Sequence, residues 1–203
     1  MASKEERSDR KRRAILAAAR GLFVKDGYAG AGMEAVARVA NISTATLYAY
    51  FPSKADLFRA VVDDVLDAVP DAPVAADRAG DARERLSGFA LDYAAFMTDP
   101  LHRALYRLVA AERRQFADLA DRADRTARAH LGGTLIRIIQ GLASAGELIV
   151  ERPSAAAGQL LGMIEHATLV VAMIHGDETR PARRLETICE DAVETFLARY
   201  GAR

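Results

Sequence analysis

Hydroxyls and aromatics, rather than acids, bases or nucleophiles, are the residues of this 203-residue chain best placed to do chemistry. From Ser43 to Lys54 it reads STATLYAYFPSK. Leu47 and Phe51 lie four apart, at helical spacing, and anchor to a core. Thr44, Ala45, Thr46, Tyr48 and Tyr50 then point elsewhere. Such a face suits a nucleic acid: hydroxyls donate to phosphate or base edges, an alanine methyl meets a thymine methyl, and a tyrosine holds a backbone oxygen. Catalytic patterns are missing. No nucleophile elbow, phosphate loop or Cys/His metal spacing occurs, and His102, His130, His166 and His175 do not form H-E-x-x-H. Glu165-His166 offers a base or metal ligand, with a hydrogen-bonded core or pocket histidine as the plainer reading. Cys189 reads as a small buried hydrophobe on an apolar stripe, with a thiol redox switch as the sharper alternative. No catalytic residue, metal or cofactor is expected.

The elements that must carry this face are short. Met33, Val36, Ala37 and Ala40 recur at helical spacing and stop at Asn41, a residue that tolerates the left-handed conformation of a helix end. Ser43 or Thr44 can cap the next run, because their oxygens accept from orphan amides. Pro52-Ser53-Lys54 stops that run and caps another, whose amide-rich start beside Lys54 suits a phosphate. This is helix-turn-helix grammar, and the second helix would enter a major groove.

The stretch resembles the DNA-binding domain of TetR-type transcriptional regulators, in the pattern S-x-x-T-L-Y-x-Y/H-F-x-S/N-K-x-x-L. Ser43, Thr46, Leu47, Tyr48, Tyr50, Phe51, Ser53, Lys54 and Leu57 sit at matching places. With the upstream AILAAARGLFVKDGY, the resemblance covers about the first third of the chain. It departs from the pattern at three points. Ala31-Gly32 stand where a Thr-Ser or Thr-Thr pair is usual, Asn41 replaces the turn glycine, and Thr44 replaces a common lysine. The segment from Arg107 to Val150 loosely resembles the C-terminal domains of AefR-type members. That implies a helical ligand-sensing and dimerisation domain. The resemblance divides the chain into a DNA-binding domain over 1–67 and a sensing domain over 68–203.

Composition agrees with a helical protein: 51% hydrophobic, 28% charged, six prolines and no tryptophan. The single cysteine excludes an intramolecular disulfide. The charged start lacks a secretory apolar core, and no apolar run approaches the roughly 20 residues that span a bilayer. A cytoplasmic protein without a membrane partner is expected. Net charge is zero, but it is unevenly spread: residues 1–60 hold 11 Lys/Arg against 6 Asp/Glu, a net +5 that the remainder balances with −5. Such asymmetry points to a nucleic-acid face on the basic segment.

Residues 1–8 read as frayed. Arg10-Lys11-Arg12-Arg13 opens a first helix, either as a solvated face or as phosphate contacts. Its apolar stripe Ile15, Ala18, Ala19, Leu22, Phe23 runs to Asp26-Gly27. A fourth helix spans Ala55 to Val69, and Pro70 to Gly80 reads as a linker. Helices then follow over Asp81–Met97, Leu101–Phe116, Leu131–Ala145, Ala155–His175 and Arg183–Tyr200. Gly132-Gly133 imply either a helix start after them or a close backbone approach. The last two helices carry enough apolar surface to fill one core or to form a four-helix interface between two copies. The fold expected is all-α: an N-terminal three-helix helix-turn-helix domain plus a C-terminal helical bundle forming a dimer.

The function this implies is a ligand-responsive repressor, binding a palindromic double-stranded DNA operator as a homodimer through the last two helices. The DNA-binding residues are Ser43, Thr44, Ala45, Thr46, Tyr48, Tyr50 and Lys54. A small, mostly apolar effector would sit among Phe89, Tyr93, Phe96, Tyr106, Met163, His166, Thr168 and Met173. One alternative is a helical small-molecule-binding protein or enzyme with a vestigial helix-turn-helix. Another is an architectural or activating DNA-binding protein without an effector.

Overall fold

The computed structural model describes residues 4–68 and 79–202. Among these residues the fold is all-α, with two π-helical turns and one isolated backbone bridge, Leu148 to Gly201. The chain divides into two compact units: Met1–Ala68 with Leu105–Asp121, and Val69–Ala104 with Arg122–Arg203. Apart from Ala79 and Gly80, the expected linker lies outside the described residues.

The first unit opens on α1 (Lys4–Gly30). Ile15, Leu16, Ala19 and Phe23 form its buried stripe, and Gly27, at φ 73°, breaks it where the sequence places an end. The fraying expected over residues 1–8 is not found from Lys4 onward, because α1 is already helical there and Ser8 is tied to a later helix. Short α2 (Met33–Val39) and α3 (Thr44–Tyr50) bury Val36, Ala37 and Leu47 against that stripe. The helix α4 (Lys54–Ala68) adds Leu57, Phe58, Val61 and Val62.

Residues 105–121, assigned from sequence to the second domain, cluster with this unit instead. They contribute the later part of α6 (Pro100–Ala111) and the start of α7 (Ala117–Ala127). Leu105, Leu108, Phe116 and Leu119 are buried in its core. The attraction is aromatic. The Phe116 ring lies 4.8 Å from Phe58 and 5.1 Å from Tyr28, and the Arg59 guanidinium sits 5.2 Å above it. Arg59 also pairs with Asp118.

The second unit is a bundle of α5 (Ala82–Thr98), α8 (Gly133–Ser144), α9 (Pro153–Glu165), α10 (Val171–His175) and α11 (Leu185–Tyr200). A reciprocal cap starts α5: the Asp81 carboxylate accepts from the Glu84 amide at 2.9 Å, and the Glu84 carboxylate accepts from the Asp81 amide at 3.1 Å. Leu86, Phe89, Ala90, Leu135, Ile139, Leu142, Leu160, Ile164, Val193 and Phe196 fill the core. Neither expectation for Gly132-Gly133 holds. A π-helical turn, Arg128–Gly132, carries α7 directly into α8, and the nearest side-chain atom to a Cβ built on Gly133 is Arg137 Nη1 at 3.6 Å.

A second π-helical turn, His166–Val170, joins α9 to α10. Within the resulting run, Pro153–His175, an 18-residue window has a mean hydropathy of 1.5, so the run is long and apolar enough to cross a membrane by length and composition alone. That corrects the expectation that no apolar stretch reaches such a length; Gln159, Glu165 and His166 interrupt it, so no unbroken apolar run appears in the sequence. Its buried side chains, Ala156, Ala157, Leu160, Ile164 and Leu169, pack in the bundle core.

Candidate nucleic-acid interface

The turn between α2 and α3 is built on Asn41, whose φ of 54° lies in the left-handed region. Asn41 and Ile42 donate to the Arg38 and Ala37 carbonyls at 3.2 and 3.0 Å, closing α2 so that α3 starts in a new direction. Ser43 caps α3. Its hydroxyl accepts from the Thr46 amide at 3.1 Å and lies 2.8 Å from the Thr46 hydroxyl. Leu47 (0% exposed) and Phe51 (5%) seat the helix on the core. Thr44, Ala45 and Tyr48 (48% exposed) stand in solvent, and Thr46 is half-buried at their edge. Upstream of α3, Gly32 starts α2 without a side-chain cap and Ala31 is buried, so no hydroxyl serves that helix start.

Two residues of the expected contact set are turned differently. Tyr50 is half-buried; its hydroxyl lies 3.1 Å from the Ser8 hydroxyl and donates weakly, at 3.5 Å, to the Ser8 carbonyl. Lys54 donates to the Ala29 carbonyl at 2.9 Å and covers the Tyr28 ring at 4.9 Å. Its ammonium therefore serves the end of α1 rather than standing free at the start of α4. That start already holds an anion: Ser53 accepts from the Asp56 amide at 3.1 Å and donates to the Asp56 carboxylate at 2.7 Å. Arg10, Lys11, Arg13 and Arg38 are exposed cations of this unit.

The eight expected pocket residues do not line one cavity. Phe89, Tyr93 and Thr168 are core residues at 1%, 2% and 0% exposure. Tyr93 donates to Glu165, and Thr168 donates to the Ile164 carbonyl at 2.8 Å. Phe96 packs on His102, ring centroids 4.0 Å apart, and Met173 packs half-buried against the core. Met163 and exposed His166 border a groove of about 330 Å³ lined also by Val171, Ile188, Ala192 and Thr195. Tyr106 belongs to the first unit and is 53% exposed, because α6 turns Leu105 and Leu108 inward and leaves the two residues between them outside.

Periodicity misses one further group. The Arg103 guanidinium, 2% exposed, donates to four carbonyls: Met97 at 2.9 Å, Asp177 at 2.9 Å, Thr179 at 2.7 Å, and Thr168. Burial holds its pKa below the ordinary arginine value. Burial likewise pushes His102 down to about 4 and the Cys189 thiol up to about 11. Ser8 carries no signal of its own beyond sharing one helical face with Arg12 and Ile15. Among the described residues no group of three or more His, Cys, Asp or Glu side chains is placed to hold a metal ion.

Comparison with known proteins matches residues 15–61 to "Bacterial regulatory proteins, tetR family" and residues 84–202 to "AefR-like transcriptional repressor, C-terminal domain". The HTH-type transcriptional regulator RutR of Escherichia coli K12 is 42% identical over 57 residues, 28% of this chain and only 27% of that protein. A crystal structure described as a TetR-family regulator from Mesorhizobium loti superposes with a TM-score of 0.84 at 30% identity, covering 97% of this chain and 99% of that one. The flavonoid-responsive regulator FrrA superposes with a TM-score of 0.73 at 28% identity, covering 96% and 99%. A capped, solvent-facing α3 on a basic three-helix head, followed by a bundle of this type, places the chain in the TetR family of DNA-binding transcriptional regulators.

Proposed function

We propose that the protein is a cytoplasmic, ligand-responsive repressor. In this reading Thr44, Ala45, Thr46 and Tyr48 of α3 read base edges and phosphates in the major groove. The observation that carries it is the α3 surface: hydroxyls, a methyl and an exposed tyrosine on a helix whose opposite side is seated by Leu47 and Phe51. Ser43 reaches the DNA only through its capping of α3, and Lys54 contributes by fixing α1. Two copies joined through the last two helices would read half-sites roughly 34–36 Å apart or a multiple of that. Exposed Val170 (43%) and Ile174 (76%), four apart on the penultimate helix, support that face as the one covered.

The effector would be small and mostly apolar, entering the second unit at the groove bordered by Met163, Val171 and Ile188, with Phe89, Tyr93, Phe96 and Met173 reached only by opening the packed core. The Tyr93–Glu165 pair offers a polar anchor in otherwise apolar surroundings. A flavonoid-responsive relative of the same fold supports small-molecule control. The ligand must prefer one separation of the two heads, since equal affinity for both shifts nothing.

Selection from a random duplex library tests the DNA reading. A two-fold symmetric sequence should be enriched, with log affinity falling linearly against log salt by about 0.9 per phosphate contact. Enrichment of no sequence would overturn the proposal. Sedimentation tests the dimer, and a screen for compounds that shift affinity for the selected duplex tests the effector.

A further inference from the structure

The first turns of α1 pose a physical problem. Residues 5–14 are all exposed, and the first buried side chain is Ile15. A helix start with no apolar face frays, because helical stability in a protein comes mostly from packing. Yet this segment carries Arg10, Lys11, Arg12 and Arg13, four of the cations behind the basic balance of the head. What reaches it is the far end of α3. The Tyr50 hydroxyl lies 3.1 Å from the Ser8 hydroxyl, and one residue on, the Phe51 ring lies 5.8 Å beneath the Arg12 guanidinium. The two tyrosines of α3 therefore have different surroundings: Tyr48 is 48% exposed, whereas Tyr50 is half-buried against the core with its hydroxyl on α1.

We propose that Tyr50 is a positioning residue for DNA binding. Its bond to Ser8 holds the basic start of α1 in register with α3, so that Arg10, Lys11 and Arg13 meet phosphates beside the bases that α3 reads. The inference rests on the reading of α3 as the base-reading helix. It departs from a direct tyrosine–phosphate contact at position 50: the hydroxyl is spent inside the protein, and its effect on DNA passes through the arginines and lysine of α1. Such contacts add affinity without sequence information, and they appear in the salt dependence of binding.

The test uses the full chain and the duplex that the wild-type protein selects from a random library. Tyr50→Phe keeps the ring and removes only the hydroxyl. It should weaken binding about threefold to tenfold, the range of one hydrogen bond. It should also make the salt slope shallower by about one phosphate equivalent, leaving the enriched sequence and the melting temperature unchanged. Ser8→Ala should produce the same changes, and the double variant should be no weaker than Tyr50→Phe alone, as coupled partners require. Additive losses would mean that Tyr50 acts on DNA independently of Ser8 and would overturn the proposal. Wild-type affinity and slope in Tyr50→Phe would overturn it too, as would a lowered melting temperature with an unchanged slope. Failure of the wild type to select any duplex would refute the base-reading role of α3 instead.

Discussion

Replacing Arg103 by methionine removes a buried fork of donors while keeping much of the side-chain volume. Four carbonyls lose a partner. Two, on Asp177 and Thr179, lie in the loop that follows α10, where water can replace the guanidinium. The other two, on Met97 and Thr168, face Arg103 through buried hydrogen bonds. An orphaned buried acceptor costs about 1–3 kcal/mol. Methionine recovers part of this, because burying a guanidinium carries its own desolvation penalty. The net expectation is a loss of about 2–4 kcal/mol, with Arg103→Lys intermediate because an ammonium keeps the charge but cannot reproduce the planar fork. Urea unfolding followed by circular dichroism gives the total. Hydrogen exchange over residues 166–180 should show faster opening of the π-helical turn and the following loop, since both are pinned by this side chain. A methionine variant as stable as the wild type, with unchanged exchange there, would show that the guanidinium contributes no net stability and refute this reasoning.

Three further outcomes follow from individual residues. Phe116→Ala should destabilise the first unit by about 3–5 kcal/mol in a denaturant titration, because a fully packed ring is lost from the cluster with Phe58 and Tyr28; a loss under about 1 kcal/mol would mean the cluster closes over the gap. Asn41→Ala should cost about 1–2 kcal/mol and Asn41→Gly almost nothing, since position 41 sits at φ 54°; equal melting temperatures would refute the strain argument. His102 has a folded pKa of about 4, below its ordinary 6.5. The unfolded chain therefore binds the proton first on acidification. The stability tied to neutral His102 is complete above pH 6.5 and is lost as pH falls towards 4. Between pH 7.5 and 5 this amounts to about 2 kcal/mol, which His102→Phe should abolish in paired urea titrations.

Much of the head was legible in the residues because its contacts are local. Leu47 and Phe51 are one helical turn apart, Asn41 is one of the few non-glycine residue types that enter the left-handed region readily, and Ser43 caps with a hydroxyl that reaches only Thr46, three residues on. Each depends on neighbours within a few positions, so spacing alone identifies the seated side of α3, the turn and the cap. The same holds for the stripes of α1, α5 and α11, where the 3.6-residue repeat separates buried from exposed faces.

What periodicity could not decide was which stripe meets which. Leu105, Leu108 and Phe116 are apolar at helical spacing, and nothing local says that they join the aromatics of residues 23–58 rather than the helices that follow them. Tyr48 and Tyr50 look equivalent along the chain, yet a serine 42 positions upstream turns one of them inward. Lys54 reads as a free cation until its ammonium is found on the Ala29 carbonyl and the Tyr28 ring. Arg103 reads as an ordinary surface charge, and only the convergence of four distant carbonyls makes its burial tolerable. Local spacing sets which side of a helix is apolar. The partner of a polar or aromatic side chain across dozens of residues is settled only when the chain folds, because the desolvation of that group is offset by whatever donor or acceptor the packing brings to it.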